Sequence, residues 1–86
     1  MKISVELTLS PLQGDFEAPI IAFIKKLRDS GLIILENPLS TQVFGDYDTV
    51  MALLSCEIKE SFEHLEHVVL TMKMVKSDRS EYEPHF

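Results

Sequence analysis

The sequence predicts an α+β fold in which a four-stranded antiparallel sheet carries two helices on one face. Three observations lead there. Residues 3–10 alternate strictly between apolar and polar side chains, the signature of a half-buried strand. Two later stretches, one after Pro19 and one after Asp46, repeat apolar residues at helical spacing. The remaining apolar runs are short and bounded by turn residues, as strands are.

Taken in order, the first strand turns Ile3, Val5, Leu7 and Leu9 one way and Ser4, Glu6, Thr8 and Ser10 the other, and Pro11 ends it. After the loop "LQGDFEA", Pro19 suits a first helical position, where its missing N–H costs nothing. Ile20, Phe23, Ile24 and Leu27 form the apolar stripe of that helix. Lys25, Lys26 and Arg28 favour its C-terminal dipole, and Gly31 is the expected C′ residue. "LIILEN" is a short apolar strand, and Asn37-Pro38 a turn, because the residue before proline is pushed out of the α region. "STQVF" is a third strand, broken by Gly45, with Asp46 as N-cap of the second helix. That helix carries Tyr47, Val50, Met51, Leu54, Ile58 and Phe62 on one stripe. The last strand, "HVVLTMKMV", sets Val68, Leu70, Met72 and Met74 on one face and Val69, Thr71, Lys73 and Val75 on the other. The order β-α-β-β-α-β with both helices on one face is the ferredoxin-like arrangement.

Eighty-six residues leave room for one core, so residues 1–78 read as a single domain and 79–86 as a polar tail. A chain this short buries only roughly 60–65% of its unfolded surface, which makes help from a second subunit an expectation. The net charge of −6 argues against nucleic acid as a partner and suits a small cation, or simply solubility. The single cysteine, Cys56, excludes an internal disulfide and any paired-cysteine metal or redox motif. The opening "MKISVELTLS" is neither signal peptide nor membrane span, so the expected setting is the cytoplasm, with no membrane partner.

Few residues suggest chemistry. Glu6 lies on the face opposite the core, where it either pairs with Lys73 across strands or, if covered, needs a donor from a ligand. Ser40 and Thr41 offer two hydroxyls beside a proline turn, though adjacent strand residues oppose, so only a bend or bulge lets both line one pocket. His64 and His67 have H-x-x-H spacing, but a metal would need more ligands and a solvated turn explains them. Met51, Met72, Met74 and Cys56 read as core filler. No nucleophile–base pair, phosphate loop or metal motif is present, so neither catalysis nor a cofactor is expected. The helix-free face shows Ser, Glu, Thr and Ser on the first strand, without the aromatic and basic residues of an RNA-binding sheet.

Three stretches together, "ISVELTLSPL", "LRDSGL" and above all "LSTQVFGDYDTVMALL", resemble the YkoF-like thiamine-binding family, small ferredoxin-like domains of bacteria, archaea and some fungi. The resemblance runs from Ile3 to about Val75. It implies a non-catalytic protein that binds thiamine or its hydroxymethylpyrimidine part and assembles as a homodimer or homotetramer. It further implies Glu6, Ser40, Thr41 and Asp46 as pocket residues, with Phe44 or Tyr47 covering the ring. A carboxylate would accept from the exocyclic amine while hydroxyls donate to ring nitrogens. One departure stands out: Ser10 precedes the first-strand proline, where the family often has an aromatic residue. A regulatory module sensing another small molecule is the alternative.

Overall fold

A computed structural model describes residues 1–86. The elements are β1 (Lys2–Pro11), α1 (Glu17–Arg28), β2 (Ile33–Glu36), β3 (Thr41–Asp46), α2 (Tyr47–His64) and β4 (Val68–Val75). The strands lie in the order β2-β3-β1-β4, and every pair is antiparallel. This is the expected ferredoxin-like α+β fold.

The long central strand sets the register for everything else. Leu7 stands opposite Thr41 on one side and Met72 on the other, and Glu6 stands between Gln42 and Lys73. Its odd-numbered side chains enter the core, where Ile3, Val5, Leu7 and Leu9 meet Phe23 and Leu27 of α1, Val43 of β3, and Val50 and Leu54 of α2. Pro11 closes the strand opposite Val68. The odd residues of β1 turn their backbone groups toward β3, whose pairing has already ended at Leu7–Thr41, so the absent N–H of Pro11 breaks no ladder bond.

Both helices depart from expectation at their ends. α1 begins at Glu17, two residues before Pro19. Pro19 is tolerated there because the first four helical N–H groups have no intrahelical acceptor. At the other end the cap is Asp29, and Gly31 lies further out with φ +83°. Ser30 fills the gap: its hydroxyl donates to Leu27 O at 2.6 Å and accepts from Leu32 N–H at 3.2 Å. At α2, Gly45 continues the strand rather than breaking it, and Asp46 occupies the N-cap position without a side-chain capping bond. The Asp46 carboxylate instead lies 3.6 Å from Lys2 Nζ, its neighbour across the sheet.

The stripe on α2 is only half used. Val50 and Leu54 are buried, whereas Tyr47 and Phe62 are exposed. α2 packs on β3 and β1, leaving β4 at the margin of the helix layer. Met72 and Met74, expected as core filler, are therefore 43% and 40% exposed although they point to the helix side.

Candidate functional site

On the helix-free face, alternation along β1 and β3 brings Ser4, Glu6, Gln42 and Phe44 to one side of the sheet, with Lys73 joining from β4. Glu6 is the centre of this group. Its carboxylate lies 3.8 Å from Lys73 Nζ and accepts a hydrogen bond from Ser40 Oγ at 3.1 Å. The cross-strand pairing with Lys73 is thus real, yet the carboxylate is 41% exposed and Lys73 74%, so the pair is loose and solvent-screened. Glu6 keeps free acceptor capacity toward solvent.

A tight turn delivers Ser40 to this position. Asn37 Oδ1 accepts from the backbone N–H groups of Leu39 and Ser40 at 2.8 and 2.9 Å, and Asn37 N–H donates to Ser40 O at 3.0 Å. An Asx turn of this kind is what Asn-Pro at a strand boundary favours. Thr8 reinforces it, donating from its hydroxyl to Leu39 O at 3.2 Å.

Thr41 points the other way. It pairs with Leu7, shares the core-facing side of the sheet and is buried. No bulge intervenes, so the two hydroxyls fall on opposite faces as strand alternation demands. They still share a crevice at the end of the sheet, about 160 Å³, where the 37–41 turn meets Leu7, Ile20 and Phe23. Asp46 is not brought to Glu6 at all. It lies four residues along β3 from Gln42, which faces Glu6, a separation of roughly 13 Å at strand rise.

Phe44 is on the correct face but is nearly fully buried, so it cannot lay an open ring on a ligand without local movement. It pairs with Ser4, where the C-terminal segment crosses the sheet. The Ser4 hydroxyl donates to Ser77 O at 2.7 Å and accepts from Arg79 N–H at 2.9 Å. The start of the tail is therefore fastened to the chain's own sheet. Glu6, Gln42, Phe44, Lys73 and Arg79 line a second shallow depression of about 170 Å³. Sequence reading missed two of these. Gln42 was accessible by parity, since it alternates with Ser40 and Phe44. Arg79 had no local signal, because nothing in a polar tail announces which strand it crosses.

Neither depression reaches the roughly 300–1,000 Å³ of a site that encloses a drug-sized molecule. A wider crevice of about 400 Å³ separates α1 from α2, but its charged groups are already matched. Lys26 bonds Glu60 and lies 3.7 Å from Glu57. Those contacts raise the Lys26 ammonium above the usual lysine range and lower the Glu60 carboxyl below that of a free glutamate. His64 donates from Nδ1 to Glu60 O at 2.8 Å, and His67 lies 3.8 Å from Glu66. No three metal-ligating side chains converge. No buried side-chain N or O lacks a partner. No helix is long and apolar enough to cross a membrane.

No protein-family model matches the chain, and no curated protein does. Solved structures do. Protein SP2199 from Streptococcus pneumoniae is 26% identical, with a TM-score of 0.83 over 91% of this chain and 89% of that one. A Thermotoga maritima protein assigned provisionally to thiamine biosynthesis or salvage is 19% identical, with a TM-score of 0.80 over 90% of this chain and 85% of that one. A domain of unknown function, DUF77, from Bacillus cereus is 14% identical, with a TM-score of 0.76 over 91% of this chain and 78% of that one. The likeness is one of fold, and it spans almost the whole chain.

Proposed function

We propose that the chain is a non-catalytic cytoplasmic binding protein for thiamine or its hydroxymethylpyrimidine part, working as a homo-oligomer without a resident cofactor. The observation that carries this reading is the half-exposed Glu6 carboxylate held between Ser40 and Lys73 on the helix-free face. An aminopyrimidine presents an exocyclic amine beside ring-nitrogen acceptors. Glu6 would accept from the amine, the Gln42 amide would donate to a ring nitrogen, and the Ser40 hydroxyl, which donates to Glu6, would turn to a ring nitrogen only by giving up that bond. The fold likeness to a protein provisionally assigned to thiamine biosynthesis or salvage adds to it.

Calorimetric titration with thiamine and with hydroxymethylpyrimidine tests the proposal. Saturable heat with at least one of them is expected, and Glu6→Ala should weaken it by roughly tenfold or more, the worth of a hydrogen bond to a charged group. The absence of both heat and thermal shift at millimolar ligand would sink the reading.

One observation favours the alternative, a regulatory module that senses another small molecule. Lys73 and Arg79 flank Glu6 in the same depression, so local charge there suits an anionic ligand better than a thiazolium cation. Native mass spectrometry of co-purified ligand separates the two readings.

A further inference from the structure

We infer that the helix-free face takes an anionic aminopyrimidine, the phosphate monoester of the hydroxymethyl compound, with Glu6 on its amine and Arg79 and Lys73 on its phosphate. This rests on the pyrimidine-binding reading proposed above and narrows the ligand to a phosphorylated single ring, in preference to the thiazolium-bearing cation.

The pairing of charges across the molecule singles out Arg79. Lys2, Lys26, Arg28, Lys59 and Lys73 each lie within 4.0 Å of a carboxylate. Lys25, Lys76 and Arg79 do not, and of these only Arg79 lines a depression in the surface. Inside that depression one carboxylate, Glu6, stands against two cations, Lys73 and Arg79. The local balance is therefore positive on a chain whose net charge is −6.

The fold holds Arg79 by its backbone and leaves its head group available. Ser4 is 8% exposed, and its hydroxyl accepts from Arg79 N–H at 2.9 Å while donating to Ser77 O at 2.7 Å. Arg79 Nε donates to Ser77 Oγ at 2.8 Å, which orients the guanidinium plane, and the two terminal nitrogens make no hydrogen bond within the chain. The neighbouring Asp78 carboxylate does not neutralise them, because it accepts from Ser80 N–H and Ser80 Oγ at 2.9 and 2.6 Å. A planar fork of free N–H donors is the group that grips a phosphate through two bonds. Lys73, 74% exposed and only loosely tied to Glu6, adds a point charge beside it.

Strand register spaces these groups for one small molecule. Gln42, Glu6 and Lys73 form a row across the sheet, and Phe44, Ser4 and Val75 form the next, with Arg79 fastened to Ser4. Rows on one face lie roughly 7 Å apart at strand rise. In the aminopyrimidine, the amine and the hydroxymethyl group sit on adjacent ring carbons, so a phosphate on that oxygen lies close to the amine. A carboxylate in one row and a guanidinium over the next match those two groups. Thiamine instead carries its quaternary cation on that same ring carbon and would bring positive charge to Lys73 and Arg79. At about 170 Å³ the depression does not enclose its ligand, so charge-assisted bonds must carry the recognition.

Calorimetric titration of the full chain with the phosphate ester, the unphosphorylated compound, thiamine and inorganic phosphate tests the assignment. The ester should bind roughly tenfold or more tighter than each of the others, the worth of one charge-assisted hydrogen bond. Arg79→Gln keeps the backbone bond to Ser4, so native circular dichroism is expected. It should weaken the ester by roughly tenfold or more and the unphosphorylated compound by no more than about threefold. Arg79→Lys should recover part of the loss, because it keeps the charge without the fork. Lys73→Gln, at a largely exposed position outside the tail, should shift the preference the same way. Thiamine or the unphosphorylated compound binding as tightly as the ester, or Arg79→Gln weakening every ligand alike, overturns the phosphate assignment and leaves the pyrimidine reading standing. Inorganic phosphate binding as tightly as the ester reduces the depression to a bare anion site and overturns the part given to Glu6 as well. Heat from none of the four overturns both readings.

Discussion

Glu6 and Phe44 sit two steps apart on one face and are held by different physics. Glu6 is partly exposed, and its contacts with Lys73 and Ser40 are solvent-screened. Exposed ion pairs contribute little to stability, so Glu6→Gln should leave the thermal midpoint within about 2 °C of wild type. Phe44 is 4% exposed, and its truncation removes a full aromatic burial beside the point where Ser77 and Arg79 fasten to Ser4. Phe44→Ala should therefore cost about 3–5 kcal/mol in urea unfolding. Equal, large losses from both substitutions would mean that Glu6 is structural, which would weaken its place in a ligand site. Thr41 belongs with Phe44 in this respect, being buried on the sheet's core-facing side.

Among the elements, two glycines at the joints make opposite demands. Gly31 has φ +83° with nothing near a would-be Cβ, so Gly31→Ala should cost about 1 kcal/mol from backbone conformation alone. Gly31→Asn should recover part of that, because Asn tolerates the left-handed region. At Gly45 the obstacle is space: a Cβ would lie 3.1 Å from Leu32 Cδ2 and 3.3 Å from Val50 Cγ2. Gly45→Ala should cost about 1–3 kcal/mol, with no rescue by Asn. Urea unfolding of the four variants checks the contrast. Two ion pairs also tie elements together, Arg28–Glu36 between α1 and β2 and Lys26–Glu60 between α1 and α2. Hydrogen bonds from these cations hold both carboxyls below the ordinary glutamate range. Their contribution is present above the unfolded value near pH 4.3 and is lost as pH falls through the lower folded values. The thermal midpoint should be flat near neutrality and fall below about pH 4.5, less steeply in Glu36→Gln/Glu60→Gln. An unchanged slope in that double variant would assign the acid sensitivity to other carboxylates. The elements themselves were legible because period two and period 3.6 are local signals, strongest in β1 and α1. What the sequence left hidden depends on how α2 lies across the sheet: the same apolar alternation in β4 reads as core whether or not a helix covers it. Ser40 and Thr41 could be assigned to opposite faces from alternation, but which of them meets Glu6 depended on the strand pairing.

For the whole molecule, size sets the margin. At about 0.05–0.15 kcal/mol per residue, a chain of this length has roughly 4–13 kcal/mol of stability. Only 14 of 86 residues are buried in the single chain, so individual core residues carry a large share of it. Leu54, at 1% exposure, bridges the buried half of α2 to the sheet. Leu54→Ala at a typical cost of about 2–5 kcal/mol should leave a visible unfolded fraction near physiological temperature. The homo-oligomer proposed above would offset that thin margin by burying further apolar surface. Unfolding then becomes concentration-dependent. Each tenfold rise in protein adds about 1.4 kcal/mol per dimer, which should raise the midpoint by about 3–5 °C for two chains of this size. Scanning calorimetry at concentrations a decade apart measures it directly. A wild-type midpoint that stays fixed across a hundredfold dilution would mean that the single chain is already the complete folded unit.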